Sequence, residues 1–258
     1  MQTWPLVIEG LIPKTQLDDL AAVFDEGIRA GLDDGRKTYH LHKLLELGRG
    51  DIVSAAVSAF TRNTPHQLAR KLVGGDYALL LSSCIYRSHE PGRRDTHLGL
   101  HFDANVLGSD SLVVNFWMPF DPIGDGVPGL TFINSAEDVS ALVEVWRRSR
   151  QEPDADGSIS PKIRFSAEDV AEALGKSADQ LLFTPKIRPG GAAIFHQFVI
   201  HGTELVEQDE KPRRNFEMRF SAADKIPAVC KERDDPVILV REETGGVSVL
   251  EPVPASQL

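Results

Sequence analysis

The chain has 258 residues, of which 41% are hydrophobic and 26% charged, and this ordinary globular composition excludes a largely disordered protein. Its net charge of -10 argues against a nucleic-acid or anionic-membrane surface, because both partners require clustered Lys and Arg. We therefore expect a small-molecule partner, with the oligomeric state left open. No segment resembles a long linker, so residues 1–258 are predicted to form a single domain.

The two cysteines and the start of the chain bear on its compartment. Cys84 lies in the apolar run ALLLSSCIY, where a buried thiol is expected, and Cys230 is the other cysteine. The opening MQTWPLVIEG has no basic region followed by an apolar stretch, and no segment approaches the roughly 20 apolar residues of a bilayer span. These features predict a cytoplasmic protein that is not inserted into a membrane.

Helical periodicity dominates the first third of the chain. After an opening strand in PLVIE, apolar residues recur with helical spacing from Leu17 to Ile28. Further helices are predicted around 50–60 and from Thr64 to Val73, with Thr64 as a possible N-cap and Gly74 as the stop. The N-terminal third is therefore expected to be mostly helical.

From Tyr77 onward the pattern changes to short β-rich runs separated by Gly, Pro, Asp and Asn. Eight runs occur: ALLLSSCIYRSH, THLGLHFDANV, SLVVNFWMPF, GLTFIN, LLFTPKI, GAAIFHQFVIHG, RNFEMRFSA and PVILVRE. They predict a mainly β protein with flanking helices around a double-stranded β-helix, or jelly-roll, core. Between the fourth and fifth runs, Ser135 and Ser166 each precede an acidic residue by three, a variant of the capping box. Residues 135–180 are thus expected to form a helical insertion between core strands, where a loop commonly covers a site as a lid.

Candidate metal ligands occur in two of these runs. In HFD, His101 and Asp103 would share one face of a strand, because side chains two residues apart point the same way. A histidine from FHQFVIHGT would complete a 2-His-1-carboxylate triad, the ligand set typical of non-haem Fe(II). Spacing alone leaves both His196 and His201 open as the third ligand. His97 is expected to be a lining or surface residue, since it lies about 13 Å from His101 along an extended strand.

The basic run KPRRNFEMRF offers an anchor for an anionic co-substrate. Arg213, Arg214 and Arg219 each carry a guanidinium that can hold the far carboxylate of a chelating keto acid through paired hydrogen bonds. On a strand, Arg213 and Arg219 share one face and Arg214 lies on the other, and periodicity does not say which face looks inward. Asn115 shares a face with Trp117. On the inner face Asn115 would bind the co-substrate or substrate; otherwise Trp117 packs the core and Asn115 caps a hairpin.

The order and spacing of these segments resemble the phytanoyl-CoA dioxygenase type of Fe(II)/2-oxoglutarate-dependent oxygenases. LVIEGLIPKTQLDDLAAVF is similar to that family's opening strand and helix, THLGLHFDAN to its metal strand, VNFWMPFDPIGDGVPGLTFI to its central hairpin, and RPGGAAIFHQFVIHGT with KPRRNFEMRF to its closing strands. The resemblance implies His101, Asp103 and His201 as metal ligands, with His201 in the family's H-G-[ST] element. It implies Arg213, in a P-R-x pattern, as the 2-oxoglutarate anchor. The chain departs from the family at INSAED, where a P-G-S-H turn is common.

The resemblance also implies an activity. Fe(II) would be the metal and 2-oxoglutarate the co-substrate, and a C–H bond of a small-molecule metabolite would be oxidised, by default hydroxylated, as 2-oxoglutarate and O2 become succinate and CO2. Retention of Asp103 disfavours chlorination, since related halogenases replace this carboxylate with Ala or Gly. The alternatives are a cupin-like metal enzyme that does not depend on 2-oxoglutarate and a non-catalytic β-barrel ligand-binding module. Absence of succinate formation would identify the first, and absence of Fe(II) binding the second.

Overall fold

The computed structural model describes residues 4–32, 37–93, 97–134, 142–144, 165–206, 210–243 and 246–258. The helices, labelled α1 to α8 in chain order, are Lys14–Arg29, Leu41–Glu46, Gly50–Phe60, Asn63–Val73, Ala104–Leu107, Ala167–Leu174, Ala178–Leu181 and Ala228–Glu232. The strands, β1 to β13, are Leu6–Ile8, Thr38–His40, Tyr77–Leu80, Ile85–His89, Val113–Pro119, Leu130–Ile133, Leu182–Phe183, Ala192–His196, His201–Thr203, Arg213–Ala222, Pro236–Glu243, Gly246–Val249 and Val253–Pro254.

Two antiparallel sheets form the core. The larger has the order β1-β8-β5-β10-β3-β11-β12, with β4 also on β10, β2 on β4 and β13 on β11, and the smaller has the order β7-β6-β9. Side chains of both sheets meet between them, where the rings of Phe132 and Phe195 lie 5.2 Å apart next to Trp117. This is the mainly β, two-sheet organisation expected of a jelly-roll core.

Strand β10 is buried on both of its faces. Phe216 and Phe220 point toward the helices, where Phe216 packs 4.8 Å from Phe24 of α1 and Phe220 packs 5.5 Å from Phe60 of α3. The alternate residues, from Arg213 to Ser221, point toward the smaller sheet and are also buried. The amphipathic helices therefore cover one face of the larger sheet and leave the other to a polar interior.

Several predicted helices occur at the expected positions. The opening helix is α1, the one predicted near 50–60 is α3, and α6 begins with the predicted capping box between Ser166 and Asp169. The helix expected from Thr64 begins one residue earlier, so Thr64 is not its N-cap; Gly74 ends it with a φ of 84°. Ser135 lies outside the described residues, and of the first predicted helix of the insertion only residues 142–144 are described, in helical conformation. Within the described residues, no helix is both long enough and apolar enough to cross a bilayer.

Three predicted β-runs differ from the structure. A 3-10 turn at Leu81–Ser83 divides ALLLSSCIYRSH into β3 and β4. GAAIFHQFVIHG forms β8 and β9, which belong to different sheets. THLGLHFDANV forms isolated bridges at Leu100 and His101 and then turns into α5, so it is not a continuous strand. In each case an apolar pattern continues across a change of direction, because the residues on both sides of the turn are buried.

Candidate active site

A cavity of about 230 Å³ lies between the two sheets. Its apolar lining includes Ile85, Leu98, Phe102 and Leu130. Its polar and aromatic lining comprises Arg87, His101, Asp103, Asn105, Asn115, Trp117, His201, Thr203, Arg213, Glu217 and Arg219. The five site residues predicted from the sequence, His101, Asp103, Asn115, His201 and Arg213, therefore share one cavity.

A backbone bridge brings His101 and His201 together. The His101 N–H donates to the His201 carbonyl at 2.8 Å, the reverse bond is 3.1 Å, and the two ring centroids are 4.5 Å apart. Gly202 makes this approach possible, because a Cβ there would lie 2.9 Å from the backbone of Gly99 and Leu100. The glycine of the H-G-T sequence thus has a packing role beside the candidate ligands.

The Asp103 carboxylate lies beside His101, but its backbone conformation differs from the predicted strand. Its backbone is helical, with φ of -64° and ψ of -23°, at the start of α5, so it does not share a strand face with His101. The turn nevertheless brings its Oδ1 to 3.7 Å from the His101 Nε2. Potential ligand atoms of His101, Asp103 and His201 all lie within 4.8 Å of one another.

Both candidate histidines have a fixed tautomer. The Nδ1 of His101 is 2.8 Å from the Gly99 carbonyl, and the Nδ1 of His201 is 3.0 Å from the Val199 carbonyl. A carbonyl only accepts, so in the neutral rings each Nδ1 carries the proton and each Nε2 has a free lone pair, the form that binds a metal. Burial lowers the pKa of His201 to about 4, which keeps that ring neutral at neutral pH.

Arg219 keeps the candidate carboxylate ionised. Its Nη2 donates to the Asp103 Oδ2 at 3.1 Å and to the Glu217 Oε2 at 2.8 Å, while its Nη1 donates to the Ser83 carbonyl at 2.9 Å. Burial opposes the charge on Asp103, but the Arg219 guanidinium and the neighbouring His201 and His101 together lower the pKa of Asp103 to about 2. The carboxylate is therefore an anion before any metal binds.

Arg213 faces the cavity without an acidic partner. Its side chain is 3% exposed, its Nη1 donates to the carbonyls of Pro128 and Gly129 at 2.9 and 3.2 Å, and its guanidinium carbon lies 5.4 Å from the Trp117 ring centroid. Among the described residues no carboxylate forms an ion pair with it, and its buried Nε has no hydrogen-bond partner. Burial lowers its pKa to about 10, so it remains a cation at neutral pH.

The next residue, Arg214, lies on the opposite face of β10. Its Nη1 donates to the Asp25 Oδ2 at 2.6 Å and its Nη2 to the Asp121 Oδ1 at 2.9 Å. These ion pairs connect β10 to α1 and to the segment after β5. The ambiguity between the two arginines that strand periodicity left open is thus resolved in space: Arg213 points inward and Arg214 outward.

Asn115 and Trp117 also lie on the inner face. Both side-chain polar atoms of Asn115, which is 2% exposed, and the indole Nε1 of Trp117 are buried without a hydrogen-bond partner among the described residues. A buried unpaired amide costs on the order of 1–3 kcal/mol, so such a group in a cavity marks a position for a polar ligand. Asn115 therefore does not cap a hairpin.

Two other histidines that the sequence offers as ligands lie elsewhere. The ring of His196 packs edge-on against Trp4 at 5.3 Å, and its Nδ1 accepts from the Phe198 N–H. The side chain of His97 is only 7% exposed and contacts His89, and it does not line the cavity, so the expectation of a lining or surface position is wrong. The reason is that the chain from 97 to 99 is not a regular strand.

Two cavity residues were missed by sequence reasoning. Arg87 donates from its Nε to the Glu217 Oε1 at 3.0 Å, and Glu217 links it to Arg219. Their signal in the sequence was a charged residue inside an apolar run, CIYRSH for Arg87 and NFEMRF for Glu217. The sequence signal for Glu217 identifies a cavity residue only when Arg213 is known to point inward, because Glu217 lies on the same face of β10 as Arg213.

No family model matches the chain, and no curated protein matches it. Among solved structures it is similar to the epimerase SnoN in complex with Fe3+, alpha ketoglutarate and nogalamycin RO, with a TM-score of 0.58 and 16% identity, covering 96% of this chain and 89% of that one. It is similar to EctD from S. alaskensis with 2-oxoglutarate and 5-hydroxyectoine, with a TM-score of 0.57 and 15% identity, covering 87% and 74%. It is also similar to HygX from Streptomyces hygroscopicus with nickel and 2-oxoglutarate, with a TM-score of 0.55 and 13% identity, covering 86% and 83%.

At these identities the similarity shows a common fold. The chain has the fold of non-heme, 2-oxoglutarate-dependent enzymes that include an epimerase and a carbocyclase. The specific resemblance to the phytanoyl-CoA dioxygenase type stays a prediction from the sequence.

Proposed function

We propose that this protein is a non-haem Fe(II)/2-oxoglutarate-dependent oxygenase of the phytanoyl-CoA dioxygenase type that hydroxylates a C–H bond of a small-molecule metabolite. The observation that carries the proposal is the presence, in one cavity, of a 2-His-1-carboxylate cluster and a buried arginine cation with no acidic partner among the described residues. The cluster fits a metal and the arginine fits an anion. A keto diacid can bind both, because one end chelates the metal while the far carboxylate binds the arginine.

The donor set fits Fe(II). Two imidazole nitrogens and one carboxylate, contributed by His101, His201 and Asp103, are the ligands of the facial triad that leaves three coordination positions open. The carbonyl partners of both Nδ1 atoms orient the rings, and Arg219 orients the carboxylate. These outer contacts exist before the metal arrives, which reduces the reorganisation that binding requires.

The charges of the cavity fit a dianion. Arg87, Arg213 and Arg219 contribute three positive charges to its lining, and Asp103 and Glu217 contribute two negative charges. The balance of +1 becomes +3 with a divalent metal and returns to +1 with 2-oxoglutarate. Because Arg87 and Arg219 already contact Glu217, Arg213 is the guanidinium left to hold the far carboxylate of the co-substrate.

When bound, Fe(II) supplies the redox chemistry that couples oxidative decarboxylation of 2-oxoglutarate by O2 to oxidation of the substrate. The atoms balance as 2-oxoglutarate, O2 and R–H giving succinate, CO2 and R–OH. The chain's own residues bind and orient the reactants. Arg213 fixes the far end of the keto acid, Asn115 offers an unpaired amide to the co-substrate or substrate, and the apolar side chains of Leu98 and Leu130 exclude water.

The substrate is proposed to be a small metabolite. The net charge of -10 argues against a nucleic-acid or anionic-membrane partner, and the solved structures of similar fold contain small molecules, nogalamycin RO in one and 5-hydroxyectoine in another. We further propose that residues 1–258 form one catalytic domain in which the insertion at 135–180 acts as a lid over the cavity.

Anaerobic binding of Fe(II) and 2-oxoglutarate tests the proposal. The chelate gives a weak visible metal-to-ligand charge-transfer band, and we expect the wild-type protein to produce it. In Arg213→Ala we expect roughly 100-fold weaker 2-oxoglutarate binding, because the variant removes a buried charge-assisted contact worth about 3 kcal/mol. Arg214→Ala is the matched control: it removes the neighbouring arginine of the same strand but should retain the band at the same 2-oxoglutarate concentration.

The outcomes separate this function from its alternatives. A protein that binds Fe(II) but forms no band and no succinate would be a cupin-like enzyme of another class. A protein that binds no Fe(II) would be a ligand-binding module. Equal loss of the band in both arginine variants would mean that Arg213 acts through folding and not as the anchor.

A further inference from the structure

A second group of metal-ligating side chains lies outside the cavity lining. His89 ends β4, His97 precedes the bridge at Leu100, and Glu210 precedes β10. Their side chains are 3%, 7% and 13% exposed. Three separate segments of the chain thus bring two imidazoles and one carboxylate to a single buried point, and the cavity proposed to bind iron uses none of them.

The three ligand atoms form a nearly equilateral triangle. The His89 Nε2 is 3.0 Å from the Glu210 Oε1, the His97 Nε2 is 3.2 Å from the same oxygen, and the two nitrogens are 3.1 Å apart. A divalent ion about 2.0–2.2 Å from each atom, with bond angles between octahedral and tetrahedral values, sets neighbouring ligands about 2.8–3.6 Å apart. All three edges fall inside that interval.

Hydrogen bonds account for only two of the three edges. An Nε2 of a neutral imidazole either donates or accepts. If both Nε2 atoms carry protons, both donate to Glu210 and two N–H groups face each other at 3.1 Å. If one lacks its proton, it accepts from the other ring, and its own contact with the carboxylate then joins two lone pairs. A cation at the centre satisfies all three atoms at once.

The remaining carboxylate oxygen is already oriented. The Gly92 N–H donates to the Glu210 Oε2 at 2.8 Å, which turns Oε1 toward the two imidazoles. An outer hydrogen bond of this kind is what fixes a carboxylate ligand in a metal site. It also ties the turn after β4 to the segment before β10.

We propose that His89, His97 and Glu210 form a second divalent-metal site, separate from the proposed iron site and suited to Zn²⁺. Imidazole and carboxylate donors suit zinc, which binds such sites more tightly than Fe²⁺ does, and solvent completes the coordination. Its role is structural. His89 pairs across the sheet with Arg213, and Leu98, next to His97, lines the cavity, so the ion clamps the segments that border the cavity near Arg213.

Zinc binding to a protein without the cavity ligands tests the site. His101→Ala/His201→Ala removes the first cluster, and metal-free protein of this background is dialysed against Zn²⁺ and, for its absorption spectrum, Co²⁺. We expect one equivalent of Zn²⁺ and a Co²⁺ spectrum of a nitrogen and oxygen site. Adding Glu210→Gln or His97→Gln should weaken binding by roughly a hundredfold or more, since each removes one of three ligands. Adding His42→Gln, a histidine of α2 outside both clusters, should leave the equivalent in place.

Thermal unfolding distinguishes a metal site from a cluster that is held together by hydrogen bonds alone. Gln at 210 keeps an oxygen that can accept from the Gly92 N–H, so in chelator Glu210→Gln should unfold at nearly the background temperature. Zn²⁺ should raise the unfolding temperature of the background and not that of Glu210→Gln. The site is overturned if the background binds no zinc, or if both ligand variants retain it. Because 2-oxoglutarate plays no part in these measurements, failure here is distinct from failure of the proposed oxygenase.

Discussion

At the scale of single residues, Arg219 is the group on which the anionic part of the cavity depends. One of its nitrogens contacts carboxylate oxygens of both Asp103 and Glu217, and all three side chains are buried. Two like charges held this close in a low-dielectric interior repel each other strongly unless a cation lies between them. Arg219 therefore has a positioning role toward Asp103 as well as an electrostatic one.

Replacing Arg219 with Met should destabilise the metal-free protein by about 3–5 kcal/mol, because it leaves two buried carboxylates without their shared partner. Metal affinity should also fall, by roughly 10- to 100-fold, as Asp103 loses its orientation. Denaturant unfolding and metal titration measure the two effects.

The double variant Arg219→Met/Glu217→Gln provides the check. It removes one of the two carboxylates, so part of the lost stability should return. Arg214→Met, which breaks two partly exposed ion pairs on the other face of β10, should cost only about 1–2 kcal/mol. An Arg219→Met variant as stable as the wild type would contradict this account of the network.

At the scale of elements, the strand that carries Arg213 explains what the sequence could and could not predict. The sequence predicts a strand in RNFEMRFSA, but both faces of the observed strand β10 are buried, so burial does not alternate along it. Periodicity therefore left Arg213 and Arg214 undecided. The inward face is fixed by contacts distant in sequence, such as Phe216 against Phe24 of α1.

The segment HFD differs from its prediction in backbone conformation. The structure brings His101, Asp103 and His201 together, but not through the strand face that the sequence predicts for Asp103. The turn into α5 instead brings the Asp103 Oδ1 to 3.7 Å from the His101 Nε2. Sequence reasoning thus predicted which residues meet and failed on the local backbone, because it had no signal for a bridge of one residue followed by a turn.

Substitution of Gly202 tests whether close backbone packing positions His201. Its Cβ would lie 2.9 Å from the backbone of Gly99 and Leu100, so Gly202→Ala must displace β9 from the neighbouring chain. We expect a loss of about 1–3 kcal/mol of unfolding free energy and weaker metal binding, because the bridge between His101 and His201 moves with β9.

A glycine elsewhere supplies the control for that substitution. Gly50 begins α3 with nothing within 4 Å of its Cβ position, so Gly50→Ala should leave metal binding unchanged and stability equal or slightly higher. If Gly202→Ala binds metal as tightly as the wild type, close packing at the H-G-T sequence is not what positions His201.

At the scale of the whole molecule, burial of histidine governs the response to acid. Of the eight histidines in the sequence, six have pKa values lowered mainly by burial: His40, His42, His66, His89, His196 and His201. A histidine with a lower pKa in the folded chain binds fewer protons when folded than when unfolded, so stability rises with pH between the two pKa values. The depressed pKa values of Asp103 and Glu217 act at lower pH and in the same direction.

The metal-free protein should therefore lose stability as the pH falls from about 7 to about 5. The pKa of His201, about 4 when folded against an ordinary 6.5, contributes about 2 kcal/mol of that loss. Denaturant unfolding in chelator at the two pH values measures it. In His201→Gln the loss should shrink by about the same 2 kcal/mol, since the variant has no group to protonate there. A wild-type protein equally stable at both pH values would contradict burial of these rings in their neutral form, and with it the readiness of His201 to bind a metal without first releasing a proton.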